Sequence, residues 1–239
     1  NDKTMIKYTR ISRKGGWRSV KLIFLGDSIT QGVGASDHAH SFVGIVEKET
    51  GARVLNAGMG STRIAASDLQ WDEPHWHALD FVTRAAVLPD DCDFIFVFGG
   101  TNDYGDGDAP VGDETDKGVN TFAGAVNRLI TLLTAKYGRK RVVFITPCRR
   151  YSEEAHFCRV NGAYVAPFPE YAWMLKSLLE KHGIRYIDLY SDPEMPKPES
   201  TSETACFRDG LHPNDRGHRH IADRVIYFLE ANGNIRAGE

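Results

Sequence analysis

Three residues of this 239-residue chain have the types and spacing that covalent acyl chemistry needs. Ser28 follows the apolar run 22–25 in the segment Gly-Asp-Ser-Ile-Thr. A serine hydroxyl is a weak nucleophile until a base accepts its proton. Asp209 and His212 are three residues apart, so both side chains can project from one face of a single turn. In that arrangement the aspartate accepts from Nδ1–H of the histidine, and Nε2 is left to take the serine proton.

Two further apolar runs end in residues that can donate hydrogen bonds to an oxyanion. Asn102 follows the run 94–98, and its side-chain amide is one candidate donor. Gly60 follows the run 53–56, and its backbone N–H is a second candidate. Together with the backbone N–H of Ser28, these groups would form the oxyanion hole that acyl transfer requires.

Each of these candidates also has a structural interpretation. Asp27 and Ser28 would serve equally well as the N-cap of a helix that follows the strand. Asn102 is a residue type that stabilises turns through its own side chain. Asp209 and His212 would read, in isolation, as a cap and a surface residue. The sequence therefore leaves both interpretations open at each position.

Alternating strands and helices are needed to bring these residues together. The strands are predicted over 20–25, 53–56, 94–98, 141–145 and 184–189, and the helices over 41–50, 63–88, 119–137, 171–182 and 215–229. Such alternation indicates a parallel sheet with helices on both faces. Right-handed crossovers then bring the loops at 26–30, 58–62 and 99–103 to one edge of the sheet. We predict one domain over 1–239, with 1–19 as an extended lead-in.

Charge and composition exclude several classes of function. A net charge of −3 gives no electrostatic case for nucleic acid or an anionic membrane. No apolar run approaches the roughly 18–20 residues that span a bilayer. The four cysteines lack a Cys-x-x-Cys spacing, which predicts free thiols, with a Cys148–Cys158 bridge as the alternative. We expect a cytoplasmic protein; the chain starts at Asn1, and a removed signal peptide is the alternative.

Metal and cofactor sites are not indicated. Six histidines form i, i+2 pairs, which do not share a helical face, namely His38, His40, His75, His77, His218 and His220. Asp103, Asp106 and Asp108 do not match the calcium-loop pattern, because glycines take the intervening positions. We expect no metal or cofactor, and a solvated acidic loop over 104–118. Tyr104 and Arg149 are predicted to lie at the substrate rim of the sheet edge, and residues 148–168 to be irregular.

Four blocks, taken together, suggest a family. They are Gly-Asp-Ser-Ile-Thr at 26–30, Asn-Ala-Gly-Met-Gly-Ser-Thr at 56–62, Gly-Gly-Thr-Asn-Asp at 99–103, and Asp-Gly-Leu-His-Pro-Asn at 209–214. In this order the chain resembles the SGNH hydrolase superfamily of GDSL esterases and lipases. The resemblance implies a flavodoxin-like three-layer αβα sandwich around a five-stranded parallel sheet.

The resemblance also implies roles for individual residues. These are Ser28, Asp209 and His212 as the catalytic residues, and Ser28, Gly60 and Asn102 as the oxyanion hole. The second block is one residue shorter than is common in the family, so Ser61 is the alternative to Gly60. No metal or organic cofactor is implied.

The function predicted is hydrolysis of carboxylic esters through an acyl-enzyme. The polar loop 104–118 and Tyr104 favour short acyl groups on a polar or sugar alcohol, as in a carbohydrate O-acetyl esterase. A short-chain lipase or thioesterase of the same family is the alternative. A flavodoxin-like ligand-binding domain without catalysis is a third possibility. It is disfavoured because 58–60 lacks the third glycine and the lysine of a phosphate-binding loop.

Overall fold

The computed structural model describes residues 19–66 and 80–232. Within them lie seven strands: β1 (Lys21–Gly26), β2 (Arg53–Gly58), β3 (Phe94–Phe98), β4 (Val142–Ile145), β5 (His156–Phe157), β6 (Tyr164–Val165) and β7 (Arg185–Ile187). Five of them form a parallel sheet in the order β2-β1-β3-β4-β7. The chain thus reverses direction across the sheet between β1 and β3, which is where ligands bind in open α/β sheets.

Seven α-helices accompany the sheet in the described ranges. They are α1 (Ser28–Gln31), α2 (Phe42–Thr50), α3 (Phe81–Ala86), α4 (Thr101–Asp106), α5 (Phe122–Tyr137), α6 (Phe168–Lys181) and α7 (Asp215–Asn232). Helices α2 and α7 pack together over one face of the sheet, while α3, α5 and α6 cover the other. The result is a three-layer αβα sandwich around a five-stranded parallel sheet, so the predicted fold class is confirmed.

Strand β3 shows how the sequence creates two cores. All five of its residues are buried, which suits a central strand covered on both faces. Because successive side chains of a strand point to opposite faces, Phe94 and Phe96 pack among residues of α2 and α7. Ile95 and Val97 pack instead among residues of α5 and α6. The continuous apolar run thus specifies both interfaces of the sheet.

The helix ends follow the capping signals in the sequence. Ser41 precedes α2 and accepts a hydrogen bond from the backbone N–H of Gly44 at 3.1 Å. Gly51 ends α2 with a φ of 69°, a left-handed conformation that glycine adopts readily. The predicted helix over 41–50 is therefore confirmed, with Ser41 as its cap.

Several predictions need correction. Residues 148–168 were predicted to be irregular, yet β5 and β6 pair there as an antiparallel ribbon. The loop 104–118 begins inside α4 rather than in a turn. Cys148 and Cys158 are free and belong to different hydrophobic clusters, so the bridge between them does not form. The predicted lead-in at 1–18, and the part of the 63–88 helix at 67–79, lie outside the described residues.

Among the described residues, no helix combines the length and the apolar character needed to cross a membrane.

Candidate active site

The turn after β1 presents a hydroxyl while capping a helix. Asp27 is the N-cap of α1, and its Oδ1 accepts from the backbone N–H of Ile29 at 2.9 Å. Ser28 is the first residue of that helix, so its side chain is not used for capping. A side chain at Gly26 would overlap Thr30, which explains why the strand ends in glycine. Asp27 therefore caps the helix, and the neighbouring Ser28 keeps its hydroxyl available as a nucleophile.

A continuous hydrogen-bonded chain joins the three candidate catalytic side chains. Ser28 Oγ lies 3.0 Å from His212 Nε2. On the other side of the ring, His212 Nδ1 lies 2.8 Å from Asp209 Oδ2. Residues 184 positions apart in sequence thus meet at the carboxyl edge of the sheet, in the order that proton transfer from serine requires.

The turn that carries His212 is braced by its own aspartate. Asp209 Oδ1 accepts from the backbone N–H groups of His212 at 2.7 Å and Leu211 at 3.0 Å. Partial burial alone would raise the pKa of Asp209, but these backbone bonds and the imidazole outweigh it and lower the pKa. Asp209 is therefore ionised at neutral pH, as an orienting carboxylate must be.

A glycine in the loop after α1 lets that loop approach the histidine turn. Gly34 has a φ of 97°, and a Cβ there would overlap the carbonyl of Pro213 and lie 3.0 Å from His212 Cβ. The same loop is fixed by the buried His218, whose Nε2 lies 3.1 Å from the carbonyl oxygen of Val33. These contacts hold the two halves of the site against each other.

Asn102 stands in the first turn of α4, next to the candidate nucleophile's strand. Its Nδ2 donates to the carbonyl of Thr62 at 2.8 Å. An amide nitrogen carries two hydrogens, so this bond orients the group and leaves one hydrogen for a ligand. The geometry is compatible with the predicted oxyanion donor.

The Gly60 backbone N–H, the second predicted donor, is already engaged. It donates to the side-chain oxygen Oε1 of Gln31 at 2.8 Å. The next residue, Ser61, has a φ of 60°, a left-handed conformation that no other non-glycine residue adopts in the described ranges. Strained backbone of this kind is concentrated at functional sites. No sequence pattern marks Gln31, because its contact depends on a side-chain rotamer.

Arg84 is a second residue that the sequence did not reveal. Its guanidinium donates to the carbonyl of Gly26 at 3.0 Å, to Thr62 Oγ1 at 2.7 Å, and to the carbonyl of Ala57. It thereby ties together the carboxyl ends of β1 and β2 and the loop that Asn102 contacts. In the sequence, Arg84 is one cation in a helical stretch and predicts only a surface side chain.

Two buried carboxyl groups lie beneath this edge. Burial raises the pKa of Asp27 to about 7; nearby Asp103 adds to the effect, and Arg84 opposes it. Burial likewise raises the pKa of Asp103 to about 6, although backbone N–H groups of Ala65 and Ile64 donate to it at 2.8 and 3.1 Å. Asp103 thereby fixes the loop next to Thr62.

The first part of the acidic loop is not solvated as predicted, whereas much of 110–118 is exposed. The fully buried Arg63 side chain pairs with Asp106 at 3.3 Å and with Asp108. A buried cation requires anionic partners, and these two aspartates supply them. The first part of the loop therefore pairs with a buried arginine and lies in the interior, not at the mouth of the site.

The predicted rim residue Tyr104 is also interior. It is 2% exposed, and its hydroxyl donates to the carbonyl of Glu154 at 2.7 Å. The Arg150 guanidinium stacks on its ring at 4.9 Å from the centroid. The sequence does not determine whether the Tyr104 ring faces solvent or the core. In the structure it packs against Phe168, which places it in the core.

Arg149 carries a local ion pair. It binds Glu153 through Nε at 2.9 Å and Nη2 at 2.7 Å, and it stacks on Tyr190. This two-point contact engages Nε and Nη2. Tyr104 is therefore not at the rim, whereas the rim position of Arg149, whose side chain is partly exposed, stays a prediction.

A cleft lined by charged, polar and apolar groups lies beside the histidine turn instead. Its volume is about 350 Å³, and its lining residues are Tyr151, Ser152, Glu154, Lys197, Pro198 and Glu199. The backbone N–H of Tyr151 donates to the carbonyl of Gly210 at 2.8 Å, which places the cleft against the Asp209–His212 turn. Lys197 and Glu154 form an ion pair across it at 3.2 Å.

One cluster has the composition of a metal site. Ligand atoms of Asp192, Glu194 and His220 lie within 4.8 Å of one another. The Arg224 guanidinium, however, binds Asp192 at 2.7 Å and Glu194 at 3.2 Å. A cation already fills the position between the carboxylates, so these residues do not fit a metal ion.

Comparison with known proteins identifies the class to which this fold and site belong. The model of the GDSL-like Lipase/Acylhydrolase family matches residues 24–220. The chain belongs to this family, and it is an ester-bond hydrolase. The match contains all four sequence blocks, from Gly-Asp-Ser at the end of β1 to Asp-Gly-Leu-His before α7. No curated protein matches the chain.

Several solved structures are similar. A protein from Lactobacillus plantarum is 26% identical with a TM-score of 0.68, covering 89% of this chain and 97% of its own. A lipase/acylhydrolase from Enterococcus faecalis is 22% identical with a TM-score of 0.59, covering 92% and 99%. An acetyl xylan esterase, AlAXEase, is 20% identical with a TM-score of 0.58, covering 88% and 100%. At these identities, the last two establish the fold alone.

Proposed function

We propose that this protein hydrolyses carboxylic esters through an acyl-enzyme on Ser28. Ser28 Oγ attacks the acyl carbon and gives its proton to His212 Nε2, while the carbonyl electrons move to the oxygen. The tetrahedral intermediate collapses, and His212 returns the proton to the departing alcohol. Water then repeats both steps on the acyl-enzyme and releases the acid. Asp209 holds Nδ1–H and stabilises the imidazolium.

The proposal depends on one observation, the unbroken Ser28–His212–Asp209 contact at 3.0 and 2.8 Å. The histidine is bound on both nitrogens, so its orientation and tautomer are set before a substrate arrives. The developing oxyanion would be stabilised by the Asn102 amide and by the backbone N–H groups of Ser28 and Gly60.

For the substrate, we propose short acyl groups on a polar or sugar alcohol. The support comes from the cleft next to the Asp209–His212 turn. Its lysine, carboxylates and serine suit hydroxyl groups, and the half-exposed ring of Tyr151 suits the apolar face of a sugar. Tyr104 and the first part of the acidic loop lie in the interior, so they do not support this substrate.

An ester panel tests the substrate proposal. The purified protein is given 4-nitrophenyl acetate, butyrate and octanoate, and an acetylated xylo-oligosaccharide whose released acetate is measured. We expect kcat/KM to fall as the acyl chain lengthens, and acetate release from the sugar ester. Lys197→Met and Tyr151→Ala should raise KM for the sugar ester and leave 4-nitrophenyl acetate unaffected. A preference for octanoate, or equal effects of both variants on the two substrates, would overturn the substrate proposal.

A further inference from the structure

Gln31 occupies a backbone donor that the proposed function assigns to the substrate carbonyl. Its Oε1 accepts from the Gly60 backbone N–H at 2.8 Å. A Cβ atom on Gly60 would lie 3.1 Å from that oxygen and 3.9 Å from Ser28 Cβ. The carboxamide oxygen and Ser28 therefore both lie beside Gly60. A carboxamide and an ester present the same carbonyl acceptor to a donor.

Resting on the proposed function, we infer that Gln31 competes with the substrate carbonyl for the Gly60 N–H. In the free enzyme its carboxamide occupies this donor, and it withdraws when an acyl group binds. Gln31 thereby sets substrate affinity without entering the chemistry. This would make it a gating residue of the oxyanion hole.

The backbone around Gln31 limits the motion to its side chain. Gln31 ends α1, which Gly32 terminates with a φ of 109°. The residue opposite, Gly58, packs so closely that a Cβ there would overlap the Gln31 backbone. The Gln31 side chain itself is exposed, so it can turn into solvent without displacing neighbours. Exposed side chains change rotamer within nanoseconds, which is fast relative to turnover.

The cost of displacing Gln31 is the same in the bound ester and in the transition state. The side chain has to leave the Gly60 N–H before the ester carbonyl can bind there. It stays displaced in the transition state, because an oxyanion forms charge-assisted hydrogen bonds that are about twice as strong. A cost shared by both states changes KM and leaves kcat nearly unchanged.

Two substitutions at this position should change activity in opposite directions. Gln31→Met keeps the length and loses the acceptor, and it should lower KM for 4-nitrophenyl acetate about 2- to 10-fold at nearly unchanged kcat. Gln31→Glu offers a charged, stronger acceptor and should raise KM by at least about 3-fold at pH 8. Lys48→Met, exposed on α2, is the matched control and should behave as wild type.

Structural anchoring by Gln31 would give a different result. If the side chain only held the 58–62 loop in place, both variants would lower kcat, and Gln31→Met would not lower KM. Unchanged kinetics in Gln31→Met would assign the donor to another N–H, such as that of Ser61. Either result overturns the inference. Ser28→Ala, assayed in parallel, reports separately on the proposed function.

Discussion

The most informative perturbation is at Arg84, because its guanidinium joins three segments of the site. It donates to the carbonyls of Gly26 and Ala57 and to the hydroxyl of Thr62. Hydrogen bonds from charged groups contribute about 1.5–3 kcal/mol each, and truncating a buried charged partner costs about 3–5 kcal/mol. We therefore expect Arg84→Met to lower the free energy of unfolding by about 3–5 kcal/mol.

Arg84→Lys tests whether the charge of the side chain or the geometry of its hydrogen bonds holds the site together. Lysine keeps the cation but concentrates its donors at one point, so it cannot reach all three acceptors. Because Gly26 immediately precedes the catalytic turn, the loss should misplace Ser28. We expect a stability loss of about 1–3 kcal/mol and a fall in kcat of about 10-fold or more.

Urea unfolding and steady-state kinetics on 4-nitrophenyl acetate measure both effects. Arg128→Lys on the exposed side of α5 is the control and should stay within about 0.5 kcal/mol of wild type. If Arg84→Lys matched wild type in stability and in kcat, the three contacts would not hold the site together, and the reasoning would be refuted.

Substitutions at three further residues test other parts of the site. Asn102→Ala should lower kcat about 10²–10³-fold, and Asn102→Asp should be slower still because a carboxylate repels the oxyanion; a loss below threefold for the alanine variant excludes this donor. Asp27 keeps its proton to about pH 7 in the folded state and to about pH 4 in the unfolded state. Its contribution to stability therefore falls as pH rises between those values. Asp27→Asn should gain about 1–4 kcal/mol on wild type between pH 5 and pH 8 in urea unfolding, and a constant difference would contradict the raised pKa. Gly34→Ala should lower kcat with a stability loss of about 1–3 kcal/mol, since its Cβ would meet His212 and Pro213 in a left-handed conformation; wild-type kinetics would show that the loop adapts.

The strands and helices could be predicted because each is marked by a continuous pattern of apolar residues within one short segment. The run 94–98 is apolar at every position, which only a strand covered on both faces satisfies. The residues at the strand ends were predictable for the same reason. Ser28 and Asn102 each follow a strand whose position in the sheet fixes the loop, and the turn before α7 brings Asp209 and His212 to the same edge.

The remaining features depend on contacts between distant segments. Arg84 binds backbone carbonyls of other strands, and a carbonyl has no sequence signature. Tyr104 was expected at the rim, but the start of α4 and the stacking of Arg150 turn it inward. Gln31 meets Gly60 only through one rotamer. Such contacts are set by tertiary packing, which the periodicity of a sequence does not encode.

Covalent labelling at Ser28 tests the central claim most directly. The intact protein is treated with a fluorophosphonate, its mass is measured, and the modified peptide is sequenced; Ser28→Ala is treated in the same way. We predict one adduct on Ser28, none on the variant, and a kcat on 4-nitrophenyl acetate that falls on the order of 10³–10⁶-fold in Ser28→Ala with the fold intact. Wild-type activity in Ser28→Ala, or an adduct on another residue, would contradict an acyl-enzyme at Ser28.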